Sequence, residues 1–390
     1  SPKIQTLSER ILEKCPKLKK IWILQEEKIE TNQKKVASVA ELMTSGINGT
    51  DDFAAPDPED IATIIFTSGT TGKSKGVMLT QRNLAENVKS VNYTAEPGTI
   101  VLSVLPIHHA FCLVMDWLKG FSFGATVCIN DSLLHMVKNM GVFHPDIMLM
   151  VPLMVETIYK RLSAMNPLIP KKIVAAKAFG GKLKTIFTGG AHLDPFYIEK
   201  FAEYGVNIYE GYGMSECSPV ISSNVPEDHK TGSIGRPLSN VEVSFEDGEI
   251  LVRGSSVMKG YYQMPEETAE TLKGGWLHTG DKGYLDKDGF LFINGRIKNL
   301  IILSNGENIS PEEIENKLAL GKLVGEVIVT GENNGLIARI YPDQDAVSAK
   351  RMNEETIRSE LQAFIDSYNN TQPTYRRITG LIIRKYPFIK

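Results

Sequence analysis

Hydrophobic and polar positions change period along the chain, and each change predicts a different architecture. Over residues 3–20 apolar and basic positions recur at helical spacing, and Lys20-Ile21-Trp22-Ile23-Leu24 then reads as a strand. Short apolar runs follow at 64–66, 100–105, 126–129, 147–151, 185–188 and 207–210, separated by helical segments. That alternation predicts a doubly wound α/β sheet, in which ligands sit at the carboxyl ends of the strands. Thr80 precedes a helical run over 81–87 and is expected to cap it, so that the glycine-rich loop before it is expected to lie between a strand and that helix. After Asn240 the texture turns to short strands and tight turns, at Glu246-Asp247-Gly248-Glu249, Gly274-Gly275 and Asp286-Lys287-Asp288-Gly289, which predicts a β-rich meander. A last segment opens at Arg296-Ile297-Lys298-Asn299. Within it, Ser310-Pro311-Glu312-Glu313 predicts a helix start, with serine as cap, proline at the first helical position and acids suited to the dipole. The phrase places a domain boundary at about 296–298: a large part over 1–296, β-rich at about 240–296, and a small one over 297–390.

Composition narrows the function classes. The chain has 390 residues, long enough for two or three domains, and is 42% hydrophobic. Its 43 basic and 46 acidic residues leave a net charge of −3, so no global field draws it to nucleic acid or anionic lipid. Cys15, Cys112, Cys128 and Cys217 are scattered without a Cys-x-x-Cys pair, which argues against a zinc site or disulfide framework and fits a reducing, cytoplasmic home. No apolar run reaches the ~18 residues that a membrane-spanning helix needs.

Four motifs carry chemistry. The first is Thr67-Ser68-Gly69-Thr70-Thr71-Gly72-Lys73-Ser74-Lys75-Gly76, directly after an apolar strand. Glycines let backbone N–H groups turn toward an anion, hydroxyls add donors and lysine adds positive charge, a combination suited to a polyphosphate. A P-loop would need glycine at position 67, where Thr67 stands. An ordinary glycine-rich hairpin turn is the plainer alternative. The second motif is Tyr209-Glu210-Gly211-Tyr212-Gly213-Met214-Ser215-Glu216, whose ring, hydroxyl and carboxylate suit a base, a phosphate and a magnesium ion. A turn with a surface glutamate would look the same in isolation. Third comes Trp276-Leu277-His278-Thr279-Gly280-Asp281 with Arg296 fifteen residues later: the aspartate can accept ribose hydroxyls, or can simply be a turn residue. The fourth is Gly295-Arg296-Ile297-Lys298-Asn299 with Ser304-Asn305-Gly306-Glu307-Asn308. Two lesser signals are Thr188-Gly189-Gly190-Ala191 after a strand and Leu105-Pro106-Ile107-His108-His109-Ala110-Phe111, where the histidine is by itself more simply a structural residue.

In this order the motifs resemble those of the adenylate-forming, acyl-activating family, which includes the AMP-forming acyl-CoA synthetases. The loop at 304–309 looks like that of long-chain fatty acid-CoA ligases. The resemblance implies an α/β fold: a large N-terminal domain of stacked α/β sheets with a β-rich subdomain, and a small mobile C-terminal α+β domain. It implies that Ser68, Gly69, Thr70, Thr71, Gly72, Lys73 and Lys75 grip phosphates, and that Thr67 and Glu216 hold Mg²⁺. It places Ser215 on the α-phosphate, Tyr212 on the base among Gly190, Ala191, Glu210, Gly211 and Gly213, Asp281 on the ribose and Arg296 on the nucleotide. His109 would lie near the carboxylate being activated, and Lys298 would be a hinge. Ser215 departs from the family's usual threonine but keeps the hydroxyl.

The activity implied is a ligase forming fatty acyl-CoA from a fatty acid, ATP and CoA with Mg²⁺, in the cytoplasm or peripheral to a membrane. The alternatives are an acyl-AMP ligase, a synthetase serving an acyl-carrier protein, or an adenylate-binding module without turnover. The acyl pocket is expected within 111–123 and 148–155, although the same residues equally suit a core. Relatives carry a catalytic lysine just beyond the phrase that begins Pro387-Phe388-Ile389-Lys390, and a longer lead before the first motif. On this resemblance the termini look truncated, the small domain is incomplete at its end, and the chain is expected to adenylate poorly.

Overall fold

The computed structural model describes residues 10–15, 17–18, 21–23, 36–38, 43, 55–67, 74–302, 308–332 and 335–388. Residues Ser68, Gly69, Thr70, Thr71, Gly72 and Lys73 of the first motif, residues 303–307 and Lys390 lie outside the described residues. The chain divides into two compact units, Ser1–Pro56 and Asp57–Lys390. In the first, Ile21–Ile23 pairs in parallel with Val36–Ser38.

In the second unit, seven strands form the central sheet, in the order Arg236–Pro237, Val220–Ser223, Asn207–Gly213, Thr185–Thr188, Ile147–Met150, Ile100–Ser103 and Thr126–Ile129. The last five run parallel and the first two antiparallel. Successive side chains of a strand point to opposite faces. Along Ile147–Met150, Met148 and Met150 are wholly buried with Ile186 and Phe201 in the main core, which helices Pro152–Ser163, Lys171–Ala178 and Pro195–Glu203 complete. Ile147 and Leu149 face a cavity on the other side. Asn207–Gly213 runs beyond the expected end at Glu210 because Val220–Ser223 pairs with it as far as Gly213.

One expectation is corrected by the neighbouring sheet. Ile61–Thr67 and Lys75–Thr80 pair antiparallel, with Gly260–Tyr261 on the other edge of Lys75–Thr80. The glycine-rich loop therefore joins two strands of a hairpin rather than a strand to a helix. Val77 and Leu79 bury one side of the second strand, and only after it does helix Gln81–Ser90 begin. Thr80 caps that helix as its sequence predicts. Its Oγ1 accepts from Asn83 N–H at 3.1 Å while Asn83 Oδ1 accepts from Thr80 N–H at 2.9 Å, a reciprocal box.

The β-rich meander is a four-stranded antiparallel sheet: Val241–Glu246, Glu249–Gly254, Leu277–Leu285 and Leu291–Arg296. Beyond it, Val324–Glu332, Gly335–Pro342 and Ile378–Ile383 form a sheet covered by helices Pro311–Ala319 and Glu354–Asn370 around Ile314, Leu336, Ile340 and Ile365. Ser310 precedes the first of these helices but does not cap it through its side chain. Its hydroxyl donates to Glu312 Oε2 at 2.8 Å instead. Among the described residues no helix is long and apolar enough to cross a membrane. Cys15, Cys112, Cys128 and Cys217 are free thiols.

Candidate active site

A cavity of about 610 Å³ lies against the parallel sheet. Glycine lets its polar end form. An added Cβ on Gly213 would stand 1.8 Å from the carbonyl oxygen of Pro219, and one on Gly189 3.0 Å from that of Gly211. Only side-chain-free backbone allows these strand ends to close together. The same end is lined by Thr188, Gly190, Tyr212 and Ser215, with the exposed His109 at its rim. The Thr188 hydroxyl is buried and has no hydrogen-bond partner among the described residues.

Tyr212 connects the cavity to the β-rich sheet. Its hydroxyl donates to Asp281 Oδ2 at 2.8 Å, and Arg296 Nε donates to Asp281 Oδ1 at 3.0 Å. Register puts Asp281 opposite Arg296 on adjacent strands, which accounts for their meeting. Burial raises the Asp281 carboxyl above its ordinary range, against the pull of Arg296 and Tyr212. Burial likewise raises the Tyr212 phenol well above its usual value, helped by the Asp281 charge.

Lys75 and Glu216 meet through a residue that the sequence did not single out. Lys75 Nζ lies 4.7 Å from the centre of the Tyr261 ring, a cation–π contact, and the Tyr261 hydroxyl donates to Glu216 Oε1 at 2.8 Å. Burial, then the charge of Glu216, raises the Tyr261 phenol. No local pattern marks Tyr261: it arrives because Gly260–Tyr261 adds to the hairpin. Helix Gln81–Ser90 braces the turn at Ser215–Cys217 from behind. Asn87 Nδ2 donates to the carbonyls of Cys217 at 3.2 Å and Val220 at 2.8 Å.

Other expected residues lie elsewhere. Glu210 turns to the opposite side of its strand and lines a smaller hollow of about 220 Å³ with Asn224, His229 and Lys230. Its Oε1 accepts from Leu193 N–H at 3.4 Å, and burial pushes its carboxyl up to about 8. Ala191 is exposed just past Gly190, and Lys298 is exposed in the turn Ile297–Asn299. Thr67 is half-buried opposite Lys75 at the hairpin's end. Among the described residues no three carboxylates, histidines or cysteines converge on one point. Glu216 thus offers what suits a magnesium ion that arrives with phosphate oxygens: one carboxylate held by a neighbouring donor.

The far end of the cavity is apolar and divides the expected acyl region by side. Phe111, Met115, Phe123, Leu149 and Met154 line it, whereas Met148, Met150 and Val155 are core residues.

Comparison with known proteins follows the same parts. Residues 3–262 match the AMP-binding enzyme family, and residues 298–387 match the AMP-binding enzyme C-terminal domain. The chain is 34% identical over 301 residues to the long-chain-fatty-acid–CoA ligase of Escherichia coli O157:H7, covering 71% of this chain and 51% of that protein. It is 32% identical over 364 residues to long chain acyl-CoA synthetase 7, peroxisomal, of Arabidopsis thaliana, covering 80% and 52%. A solved structure of O-succinylbenzoate coenzyme A synthetase from Bacillus subtilis, in complex with ATP and magnesium ion, superposes with a TM-score of 0.67 at 26% identity, covering 90% of this chain and 71% of that one. The chain spans about half the length of the curated relatives it matches. With most of its own length matched, and with the glycine-lined strand ends inside that match, the chain belongs to the AMP-binding enzyme family.

Proposed function

We propose that the chain acts as an AMP-forming fatty acid-CoA ligase, using ATP, magnesium, a fatty carboxylate and CoA. One observation carries this reading: a single cavity joins a glycine- and hydroxyl-lined end, at Thr188, Gly190, Gly211 and Ser215, to an apolar end, at Met115, Phe123, Leu149 and Met154. The first suits a nucleotide. The second suits an alkyl tail, which gains ~0.8 kcal/mol for each methylene it buries. The curated relatives named for long-chain acids support the fatty substrate, while the solved relative named for O-succinylbenzoate keeps other acids within the family's range.

In the first step a carboxylate oxygen bonds to the α-phosphorus of ATP as the bond to the pyrophosphate oxygen breaks. The hairpin loop and Lys75 neutralise the phosphates, Ser215 donates to the α-phosphate and His109 orients the carboxylate. Tyr212 packs on the base, Asp281 accepts from the ribose hydroxyls and Arg296 steadies Asp281. Magnesium, held by Glu216 with Thr67 and the phosphate oxygens, would supply charge neutralisation for the leaving pyrophosphate. In the second step the CoA sulfur, its proton released to solvent, bonds to the acyl carbon, and AMP leaves with the bonding electron pair. We assign the large part to 1–296 and the small part to 297–390, with Lys298 as the hinge that lets two faces of the small part serve the two steps.

Two assays test this. Pyrophosphate release from Mg-ATP is followed with saturated, aromatic and amino acids; in parallel, synthetic fatty acyl-adenylates are supplied with CoA and thioester is measured. Thioester from fatty acyl-adenylates, with amino acids inert, is the expected result. Transfer to an acyl-carrier protein but not to CoA would replace the acceptor, and inertness toward every acid in both assays would sink the reading.

A further inference from the structure

Among the residues that line the cavity is a lysine that the proposed reaction does not use. Lys119 ends the π-helical segment Cys112–Lys119, is 7% exposed and lines the cavity beside Val91, Tyr93 and Phe123. Its Nζ donates to the carbonyl oxygens of Val91 at 2.8 Å and Val88 at 3.0 Å. Those carbonyls close the C-terminal end of helix Gln81–Ser90, where a cation is favoured. Two of the three ammonium donors are thereby used, and the third has no hydrogen-bond partner among the described residues. Among the described residues no carboxylate pairs with it either. Burial alone lowers the Lys119 pKa, and Asp116 on the same segment turns to the Cys112 thiol. A buried ammonium without a counter-ion is costly, and an incoming anion relieves that cost.

Lys119 also sits at a definite depth. At the start of its segment, Cys112 Sγ donates to the Leu105 carbonyl at 3.1 Å, beyond the carboxyl end of Ile100–Ser103. At its other end, a Cβ on Gly120 would lie 3.4 Å from Val127, which pairs with Val101 at the amino end of the same sheet. The cavity runs between these ends, past Ile147, Leu149 and Val151. Four strand steps of ~3.3 Å give it a length of about 13 Å. With carbon–carbon bonds of ~1.5 Å in a zigzag, that is the reach of about ten carbons.

We propose that Lys119 reads the far end of the acyl group, so that this cavity selects a medium-length fatty acid carrying a second carboxylate at its distal end. The inference rests on the ligase reading above and names its substrate class. A purely structural Lys119 would cap the helix and leave selectivity unmoved.

The test is calorimetric titration of the full chain, loaded with a non-hydrolysable ATP analogue and magnesium, with decanoate, ω-hydroxydecanoate and decanedioate. Decanedioate is expected to bind about tenfold or more tighter than decanoate, the scale of a hydrogen bond to a charged group. In Lys119→Met the ratio should fall to about one with decanoate still bound, and Lys119→Arg should retain the preference. Equal affinities for decanoate and decanedioate in the unmodified chain overturn the inference without any variant having to fold. So does an unchanged ratio in a folded Lys119→Met, or a preference for the hydroxy acid over the diacid. If the nucleotide analogue binds and none of the three acids does, the ligase reading itself fails and takes this inference with it.

Discussion

Tyr212 and Asp281 are joined by a 2.8 Å hydrogen bond across 69 positions of sequence, and the bond ties the cavity wall to the β-rich sheet. Tyr212→Phe removes the donor from a buried carboxyl oxygen, a loss of about 1–3 kcal/mol. We expect a lower melting temperature and nucleotide affinity about tenfold weaker, both read in one thermal-shift titration. Arg296 is the contrast. Its side chain is 59% exposed, so Arg296→Ala should change stability by less than ~1 kcal/mol while still weakening the nucleotide.

Glu216 is held by Tyr261 and, if it carries the magnesium, its effect must depend on that ion. Glu216→Gln is expected to leave nucleotide affinity without magnesium almost unchanged and to abolish most of the gain on adding it. Titrating magnesium at fixed nucleotide separates the two terms. An equal loss with and without the ion would show that Glu216 acts on the nucleotide directly.

Asn87 is fully buried, and its amide serves Cys217, Val220 and the Ser256 hydroxyl while Val220 N–H donates back to it at 3.3 Å. Asn87→Ala strands several polar groups at once, so a loss of about 2–4 kcal/mol is expected in urea unfolding. Cys217, one of these partners, directly follows Glu216. Nucleotide affinity should therefore fall along with stability, which a remote core substitution such as Leu361→Ala would not produce.

Asp116 gives the chain a pH signature. It is wholly buried, one oxygen has no hydrogen-bond partner among the described residues, the other lies 3.7 Å from the Cys112 thiol, and burial pushes the carboxyl up to about 7. Unfolded, the group ionises at the ordinary aspartate value of 3.8. Between those values the folded protein holds a proton that the unfolded chain has lost. The contribution is therefore full below the unfolded value and lost as pH rises toward about 7. Asp116→Asn should flatten that part of the stability profile, measured by urea unfolding across the interval. A slope that survives the substitution would assign it to another group.

Much of the fold was written in local pattern. Periodicity located the parallel strands, and Thr80 announced a helix start that its hydrogen bond from Asn83 N–H bears out. The close approach of strand ends at Gly189 and Gly213 was not read from their motifs and became visible only in the structure. What local pattern does not encode is which distant segments pair. The strand Lys75–Thr80 was hidden because its apolar residues directly follow the loop and lead straight into a helix, and Tyr261 was hidden because its importance comes from a two-residue pairing far along the chain. Glu210 sits inside a motif, yet alternation along its strand turns it away from the cavity that Gly211 and Tyr212 line. Motif membership gave its neighbourhood and not its direction.

The strand Ile147–Met150 works as a partition with a different tenant on each side. Even-numbered Met148 and Met150 belong to the core, while odd-numbered Ile147 and Leu149, with Val151 just beyond, belong to whatever occupies the cavity. Selection can therefore reshape the odd positions for a new acid while the even ones go on holding the sheet to its helices. Five consecutive letters thus spell two messages, interleaved, and either can be rewritten without erasing the other.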